Sequence, residues 1–252
     1  MVEFQKLSSF FFKFLESDAK FIGDFYYDLH IHTTASDSFI KPDFLKNFVK
    51  NKRYLLSVTD HNEIRGSVEL YEKGINVVPG IEIGCEDGFE MLVYFNEMQD
   101  LEDFYRREVE GYKNLKRMAK THRTIYEYLD ALQGINCHKS IPHICGVVQK
   151  NFIHNKPYIY DIIKKVDSIE THNHALPMVR NLQAAEIREQ FNLTATFGSD
   201  AHIIREAIAF YKYANMASVG VGDTVMNYLF KIGSISGIGQ KHLIHMLKNT
   251  LL

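Results

Sequence analysis

Residues 25–32 read FYYDLHIH, an alternating stretch that predicts a β-strand with two histidines at its end. His30 and His32 stand two positions apart, so on a strand their side chains point to the same face. Asp200 and His202 repeat this spacing near the other end of the chain. Imidazoles and carboxylates gathered from distant strands are the donors that a site for several metal ions needs. The sequence therefore predicts a metal centre with hydrolytic chemistry.

Further segments place the same residue types where predicted strands end. They are Thr59-Asp60-His61, Pro79-Gly80-Ile81-Glu82-Ile83, Pro142-His143 and Gly198-Ser199-Asp200-Ala201-His202. Each motif alone is a weak signal, because short His-x-His pairs and turn carboxylates occur by chance. Because the motifs occur together along one chain, each supports the interpretation of the others as parts of a metal site.

The predicted strands alternate with predicted helices, which indicates an α/β sheet or barrel with functional residues on the loops after the strands. The chain has 252 residues, of which 46% are hydrophobic, so residues 1–252 suit a single domain with a sizeable core. We expect residues 1–24 to form a leading helix packed on this domain. Residues 101–132 form a long, charged segment that we interpret as a helical insertion.

The pattern from Asp28 to Thr33, with Asp37 shortly after it, resembles the first motif of the PHP (polymerase and histidinol phosphatase) family. The Thr59, Pro79 and Gly198 segments resemble later motifs of that family in the correct order, over roughly residues 27–206. The resemblance implies a distorted (β/α)7 TIM-like barrel with two or three divalent ions (Zn²⁺, Mn²⁺ or Fe²⁺) at its C-terminal mouth. It also implies phosphoester hydrolysis by a metal-activated water.

Carried over position by position, the resemblance implies the following ligands. One ion is expected on His30, His32, Glu82 and Asp200. A second ion is expected on Asp37, His61 and His202. Glu82 is expected to bridge toward a third ion, for which His143 is a further ligand. The catalytic residues are expected among these ligands, namely His30, His32, Glu82, Asp200 and His202. His143 follows Pro142 in the reverse of the usual family order, so a loop histidine without a ligand role stays an alternative.

One further family histidine is missing, and Met91 stands at the position where we expect it. A thioether is a poor ligand for these ions. Two outcomes therefore remain open: a centre with two ions, or a replacement donor such as His122, His138 or His172.

Phosphate recognition needs cations, and Arg65, Arg180 and Arg205 each follow a motif on a predicted loop. The resemblance implies that Glu170 braces the site and that Asn173 contacts the substrate. For His172 and His174, a ligand-orienting role and no role stay equally open.

Three functions follow from these residues. The first is hydrolysis of a phosphomonoester or nucleotide-type substrate, and the second is a phosphodiesterase or 3'-5' exonuclease on nucleic acid. The third is a non-catalytic, metal-stabilised domain that serves a partner. Lys113, Arg117 and Lys120 would share one helix face and favour the second function, although such a run is more often a solvated face. Gly237 and Gly239 predict a turn before a terminal helix.

The formal net charge of −2 gives no global reason to expect binding to nucleic acid or to an acidic membrane. The three cysteines, Cys85, Cys137 and Cys145, form no Cys-x-x-Cys pair. This pattern argues against a disulfide framework and favours a reducing, cytoplasmic location. The apolar run near the start is too short to span a bilayer, so no membrane is expected among the partners.

Overall fold

The computed structural model describes residues 25–214 and 221–250. The leading helix predicted for residues 1–24 lies outside this part of the chain. Seven strands are described: β1 (Phe25–Ile31), β2 (Arg53–Val58), β3 (Gly80–Gly84), β4 (Glu90–Phe95), β5 (Cys137–Ile141), β6 (Ser168–Asn173) and β7 (Thr194–Gly198).

The helices of the described residues lie between and after these strands. They are α1 (Pro42–Val49), α2 (Arg65–Glu72), α3 (Met98–Phe104), α4 (Ile125–Ala131), α5 (Phe152–Asn155), α6 (Ile159–Ile163), α7 (Met178–Gln190), α8 (Ile204–Ala214) and α9 (Val221–Lys248). Pro42 stands at the start of α1, where its missing N–H costs nothing. The predicted α/β fold class is thereby confirmed.

The strands form two sheets. β1 and β2 pair in parallel, and the second sheet has the order β3-β4-β5-β6-β7. β4 runs antiparallel to both neighbours, whereas β5, β6 and β7 are parallel. Single bridges from Ile31 to Ala201 and from His61 to Glu82 connect the two sheets. Within the described residues the sheets do not close into one barrel, so the predicted (β/α)7 barrel is confirmed only as a mixed α/β fold.

Both faces of β1 are buried. Tyr27, Leu29 and Ile31 alternate with Asp28 and His30, and the structure leaves all five fully inaccessible to solvent. A strand that is covered on both sides is typical of parallel sheets with helices packed on them. The polar side chains of β1 are therefore held inside the molecule, where each needs a partner.

The predicted helical insertion at residues 101–132 is only partly helical. α3 runs into a π-helical turn (Tyr105–Val109) and a short 3-10 turn (Glu110–Tyr112), and irregular chain then leads to α4. Lys113, Arg117 and Lys120 follow the last of these turns, so they do not share a helix face. The predicted basic stripe is therefore wrong.

The tail differs from its prediction as well. Gly237 and Gly239 lie inside α9, which runs without a break for 28 residues, so the predicted turn is wrong. Several apolar side chains of α9 remain more than half exposed, namely Val225, Leu229, Ile232, Ile235, Leu243 and Ile244.

The three cysteine thiols are free, and those of Cys85 and Cys145 are buried. Among the described helices we find none whose length and apolar content would suffice to cross a bilayer.

Gly198 ends β7 directly against β1. A Cβ atom on Gly198 would lie 2.4 Å from the Cβ atom and 2.6 Å from the backbone nitrogen of His30. We therefore expect Gly198→Ala to lower the free energy of unfolding by about 3 kcal/mol, because a backbone contact cannot rotate away. Urea denaturation measures this change.

Gly111→Ala is the matched control, because no atom lies within 4 Å of the added Cβ. A Gly198→Ala variant as stable as the Gly111→Ala variant would show that β7 and β1 are not packed as described.

Candidate metal centre

The carboxylate of Glu82 lies at the centre of a buried cluster of imidazoles. Its Oε2 atom is 3.5 Å from His30 Nε2, 3.4 Å from His32 Nε2 and 3.0 Å from His61 Nδ1. The Glu82 side chain has no exposed surface, yet Oε2 and His61 Nδ1 form no hydrogen bond. Buried polar atoms without partners are rare in folded proteins, and a shared cation would satisfy both.

A first group of donors combines His30, His32 and Glu82, whose ligand atoms all lie within 4.8 Å of one another. Asp200 Oδ1 approaches the same imidazoles, 3.5 Å from His30 Nε2 and 3.2 Å from His32 Nε2. The structure thus brings together the four residues expected to hold one ion.

A second group combines His32, Asp37, His61 and His202. Asp37 Oδ1 lies 3.3 Å from His202 Nε2, and Asp37 Oδ2 lies 3.8 Å from His61 Nε2. The rings of His61 and His202 both stack on that of His32, with centroids 4.7 and 4.3 Å away. The three residues expected to hold a second ion are therefore adjacent, and His32 lies between them and the first group.

A third group combines His61, Glu82 and Glu90. His143 joins it, because its Nε2 atom lies 3.3 Å from Glu82 Oε1 and 3.3 Å from Glu90 Oε2. Met91, expected at the missing donor position, is fully buried in the hydrophobic core. Adjacent strand residues point to opposite faces, so Glu90 faces the centre and Met91 faces away. Glu90, and not Met91, is therefore the residue of β4 that stands at the position where the missing donor was expected.

The three histidines considered as replacement donors lie elsewhere. His138 Nε2 bonds Ser168 Oγ at 2.9 Å, and the ring of His172 stacks on Tyr213 at 4.6 Å. His122 is exposed on the chain between α3 and α4.

Three residues at the centre or beside it have a left-handed backbone, with φ of 51° at Asn62, 33° at His143 and 51° at Asp200. Such conformations cost free energy in residues other than glycine and are concentrated at functional sites. At His143 and Asp200 the chain turns sharply after a strand and directs a donor inward.

A layer of hydrogen bonds fixes the donors from behind. Glu170 Oε1 accepts from His30 Nδ1 at 2.9 Å, and its Oε2 accepts from the backbone N–H of His143 at 2.8 Å. Asn173 Nδ2 donates to Glu170 Oε2 and to Asp200 Oδ2. The Asn173 side chain is buried, and these bonds orient Glu170 and Asp200; its expected substrate contact stays a prediction.

Asp28 and Asp60 stand in the first and second motifs but had no expected role. Asp28 Oδ1 accepts from the backbone N–H of Ser199 at 2.9 Å and thus joins β1 to the last motif. Asp60 Oδ1 accepts from the N–H of Thr33 at 2.7 Å and from Ser36 Oγ at 2.5 Å. Both carboxylates hold the loops that carry the donors.

Burial and neighbouring charges shift the pKa values of the donors in opposite directions when no cation is present. Burial would lower the pKa of His30, but the carboxylates of Glu170, Asp200 and Glu82 raise it well above its usual value. Burial lowers the pKa of His32, with a further contribution from His202. Burial also opposes ionisation of Glu82 and Asp200, yet the neighbouring imidazoles hold the pKa of both well below the usual range.

The donor set fits divalent metal ions. Imidazole nitrogens and carboxylate oxygens together suit Zn²⁺, Mn²⁺ and Fe²⁺. Several carboxylates lie in this one buried cluster, and buried carboxylates need compensating positive charge. The orphaned Glu82 Oε2 atom supports this fit directly.

α9 contributes a residue that sequence reasoning missed. His242 Nε2 lies 3.0 Å from Asp37 Oδ2, and the ammonium of Lys241 donates to the backbone oxygen of Ser38 at 2.6 Å. The helix therefore crosses the rim of the centre. A histidine within a long helix, far from every motif, gives no sequence signal for this contact.

The three expected phosphate-binding arginines differ in position. The Arg65 side chain is 74% exposed and pairs with Glu63 at 3.0 Å, and Arg180 Nη1 donates to Gln183 at 3.4 Å. Arg205 lines a cavity of about 330 Å³ between α8 and α9, together with Ser199 and Lys231.

His202 makes the stability of the metal-free chain depend on pH. Burial would lower its pKa, but Asp37 and the other nearby carboxylates raise it from 6.5 to about 9. This interaction is fully present below pH 6.5 and is lost as the pH rises through 9. In chelator, we expect the free energy of unfolding to fall by up to about 3 kcal/mol over this range, and His202→Gln to flatten the decline.

Urea denaturation at several pH values measures the effect, with His122→Gln as the control outside the cluster. A decline of the same size in the parent chain and in the His202→Gln variant would contradict the assignment.

Comparison with known proteins agrees with this architecture. No protein-family model matches the chain. An uncharacterized protein of Methanocaldococcus jannaschii is 26% identical over 192 residues, which cover 75% of this chain and 70% of that protein.

Solved structures give further matches. A structure described as a metal-dependent phosphoesterase from Bifidobacterium adolescentis matches with a TM-score of 0.53 and 14% identity, over 80% of this chain and 99% of that one. A two-domain protein from Bacteroides vulgatus, described as containing a PHP-like metal-dependent phosphoesterase, matches with a TM-score of 0.51 and 18% identity, over 73% and 53% of the two chains. The lesion-specific endonuclease Q of Pyrococcus furiosus matches with a TM-score of 0.54 and 16% identity, over 70% and 48%. The chain therefore has the fold of the PHP-like metal-dependent phosphoesterases, as its motifs predict.

Proposed function

We propose that the chain is a metal-dependent phosphoesterase that hydrolyses a phosphomonoester or a nucleotide-type substrate. The observation that carries this proposal is the buried Glu82 Oε2 atom, which lies within 3.5 Å of three imidazole nitrogens and has no hydrogen bond. His30, His32, Glu82 and Asp200 would hold one ion, and Asp37, His61 and His202 would hold another. Bound there, the ions would neutralise charge on the phosphoryl oxygens and lower the pKa of water.

The residues around the centre support this chemistry. Glu170 accepts a hydrogen bond from His30 Nδ1, which keeps the opposite nitrogen directed inward. Asn173 orients Asp200 in the same way. These bonds fix the donors before any substrate arrives, so little reorganisation is needed when charge develops during the reaction.

The cavity beside the centre supports a small phosphorylated substrate. It contains two cationic side chains, Arg205 and Lys231, and its walls include the aromatic rings of Tyr213 and Phe230. Ser199, which precedes Asp200 and is buried, also lines this cavity. Cations next to an aromatic wall suit a phosphate that carries a planar group such as a nucleobase.

The nucleic-acid alternative has less support in this chain. Lys113, the first residue of the predicted basic stripe, pairs with Glu63 at 3.0 Å and with the hydroxyl of Tyr105. Its charge is therefore already compensated. The endonuclease match motivates a direct comparison of substrates.

The test compares hydrolysis of p-nitrophenyl phosphate, nucleoside monophosphates, bis-p-nitrophenyl phosphate and a labelled oligonucleotide, each with Mn²⁺ or Zn²⁺. We expect monoesters to be the preferred substrates. Glu82→Gln and Asp200→Asn should each lower kcat/KM at least about a hundredfold, because each removes a charged donor from the centre. Glu72→Gln, at an exposed residue of α2, is the control.

Circular dichroism verifies that each variant is folded. Faster cleavage of the diester or of the oligonucleotide would favour the nuclease alternative. Absence of metal-dependent hydrolysis of every substrate would contradict the enzymatic proposal.

Lys231 gives a separate test of the cavity. Its ammonium faces the cavity from α9, and burial lowers its pKa. We expect Lys231→Met to raise KM for the phosphorylated substrate at least about tenfold with little change in kcat, since a charge-assisted contact contributes about 1.5–3 kcal/mol. Steady-state kinetics measure this, with Lys248→Met at the end of α9 as the control. An unchanged KM would show that the substrate binds elsewhere.

A further inference from the structure

Lys150 brings an ammonium group to the third donor group. It ends a short 3-10 turn, Val148–Lys150, on the loop that follows His143. Its Nζ atom lies 3.1 Å from Glu90 Oε2, and the same oxygen lies 3.3 Å from His143 Nε2. His143 Nε2 is in turn 3.3 Å from Glu82 Oε1.

The surroundings of this ammonium are acidic. Burial of the amine would lower the pKa of Lys150, but Glu90, Glu82 and Asp200 raise it above its usual value. The side chain as a whole is 47% exposed, so it reaches the centre from the rim. The ammonium of Lys150 thus contacts Glu90 directly at the rim of the centre.

A metal ion in the third group would need the atoms that Lys150 already engages. Glu90 and Glu82 are members of that group, and His143 Nε2 lies between their carboxylates. An ion bound to Glu90 at ordinary ligand distance would face the ammonium at close range, and two cations there repel each other strongly. The first two groups contain no contact of this kind with a lysine among the described residues.

We infer that the ammonium of Lys150 occupies the place of a third metal ion, so that the centre binds two ions. The inference rests on the proposed metal-dependent function and specifies how its centre is built. Lys150 supplies one positive charge where an ion would supply two, and an ammonium offers hydrogen-bond donors but no ligand position for water. The ammonium at 3.1 Å compensates the charge of Glu90 without a third metal, although Glu90 Oε2 makes no hydrogen bond among the described residues.

The test is the number of Mn²⁺ ions bound per chain, measured by mass spectrometry after equilibration with excess Mn²⁺ and rapid gel filtration. We expect two ions in the parent chain. Lys150→Met removes the ammonium and frees Glu90, so we expect three. Lys150→Arg keeps a cation and should bind two. The double variant Lys150→Met with Glu90→Gln lacks both the ammonium and the third carboxylate, and should return to two.

Isothermal titration with Mn²⁺ provides a second readout, in which Lys150→Met should show an additional binding event that Lys150→Arg lacks. Circular dichroism verifies the fold of each variant. Three ions in the parent chain, or two in both the parent and the Lys150→Met variant, would overturn this inference and leave the proposed metal-dependent function intact. No bound ion in any folded variant would overturn both.

Discussion

The carboxylate of Glu82, buried among His30, His32 and His61, sets the constraint on which the rest of the structure depends. A carboxylate without solvent contact is costly unless positive charge compensates it. In this chain the compensating groups arrive from the ends of separate strands. The two sheets must therefore approach each other where β1 meets β7 and where the chain after β2 meets β3. The single bridges at Ile31–Ala201 and His61–Glu82 mark these places.

The same constraint explains the polar layer behind the donors. Glu170, Asn173, Asp28 and Asp60 are all buried, and each uses its side chain to hold a donor or the loop that carries one. The left-handed backbone at His143 and Asp200 is a further cost at the centre. Such strain persists only where the surrounding structure determines the conformation, and here the hydrogen bonds to Glu170 and Asn173 do so. Two further side chains complete the rim of the centre. Lys150 lies on the loop after His143, and His242 lies on α9.

Most strands, and the imidazoles and carboxylates that converge on Glu82, could be predicted from the sequence, because spacing along a strand determines which face a side chain occupies. The error at Met91 has the same origin. A shift of one residue moves a side chain to the opposite face of a strand, and the motif alone did not fix the register at Glu90. Lys150 and His242 could not be predicted, since they reach the centre by tertiary packing of a loop and of a distant helix. The charged pattern at residues 101–132 resembled a helix, but no local signal revealed the π-helical turn, and the glycines within α9 suggested a turn that helix propagation overrides.

The central claim is that the buried imidazoles and carboxylates form a metal centre organised by Glu82. Anomalous diffraction from crystals of the full chain grown with Mn²⁺ tests it most directly. The structure predicts two anomalous peaks, one beside His30, Glu82 and Asp200 and the other beside Asp37 and His202. A folded chain with no anomalous peak in this cluster would contradict the claim.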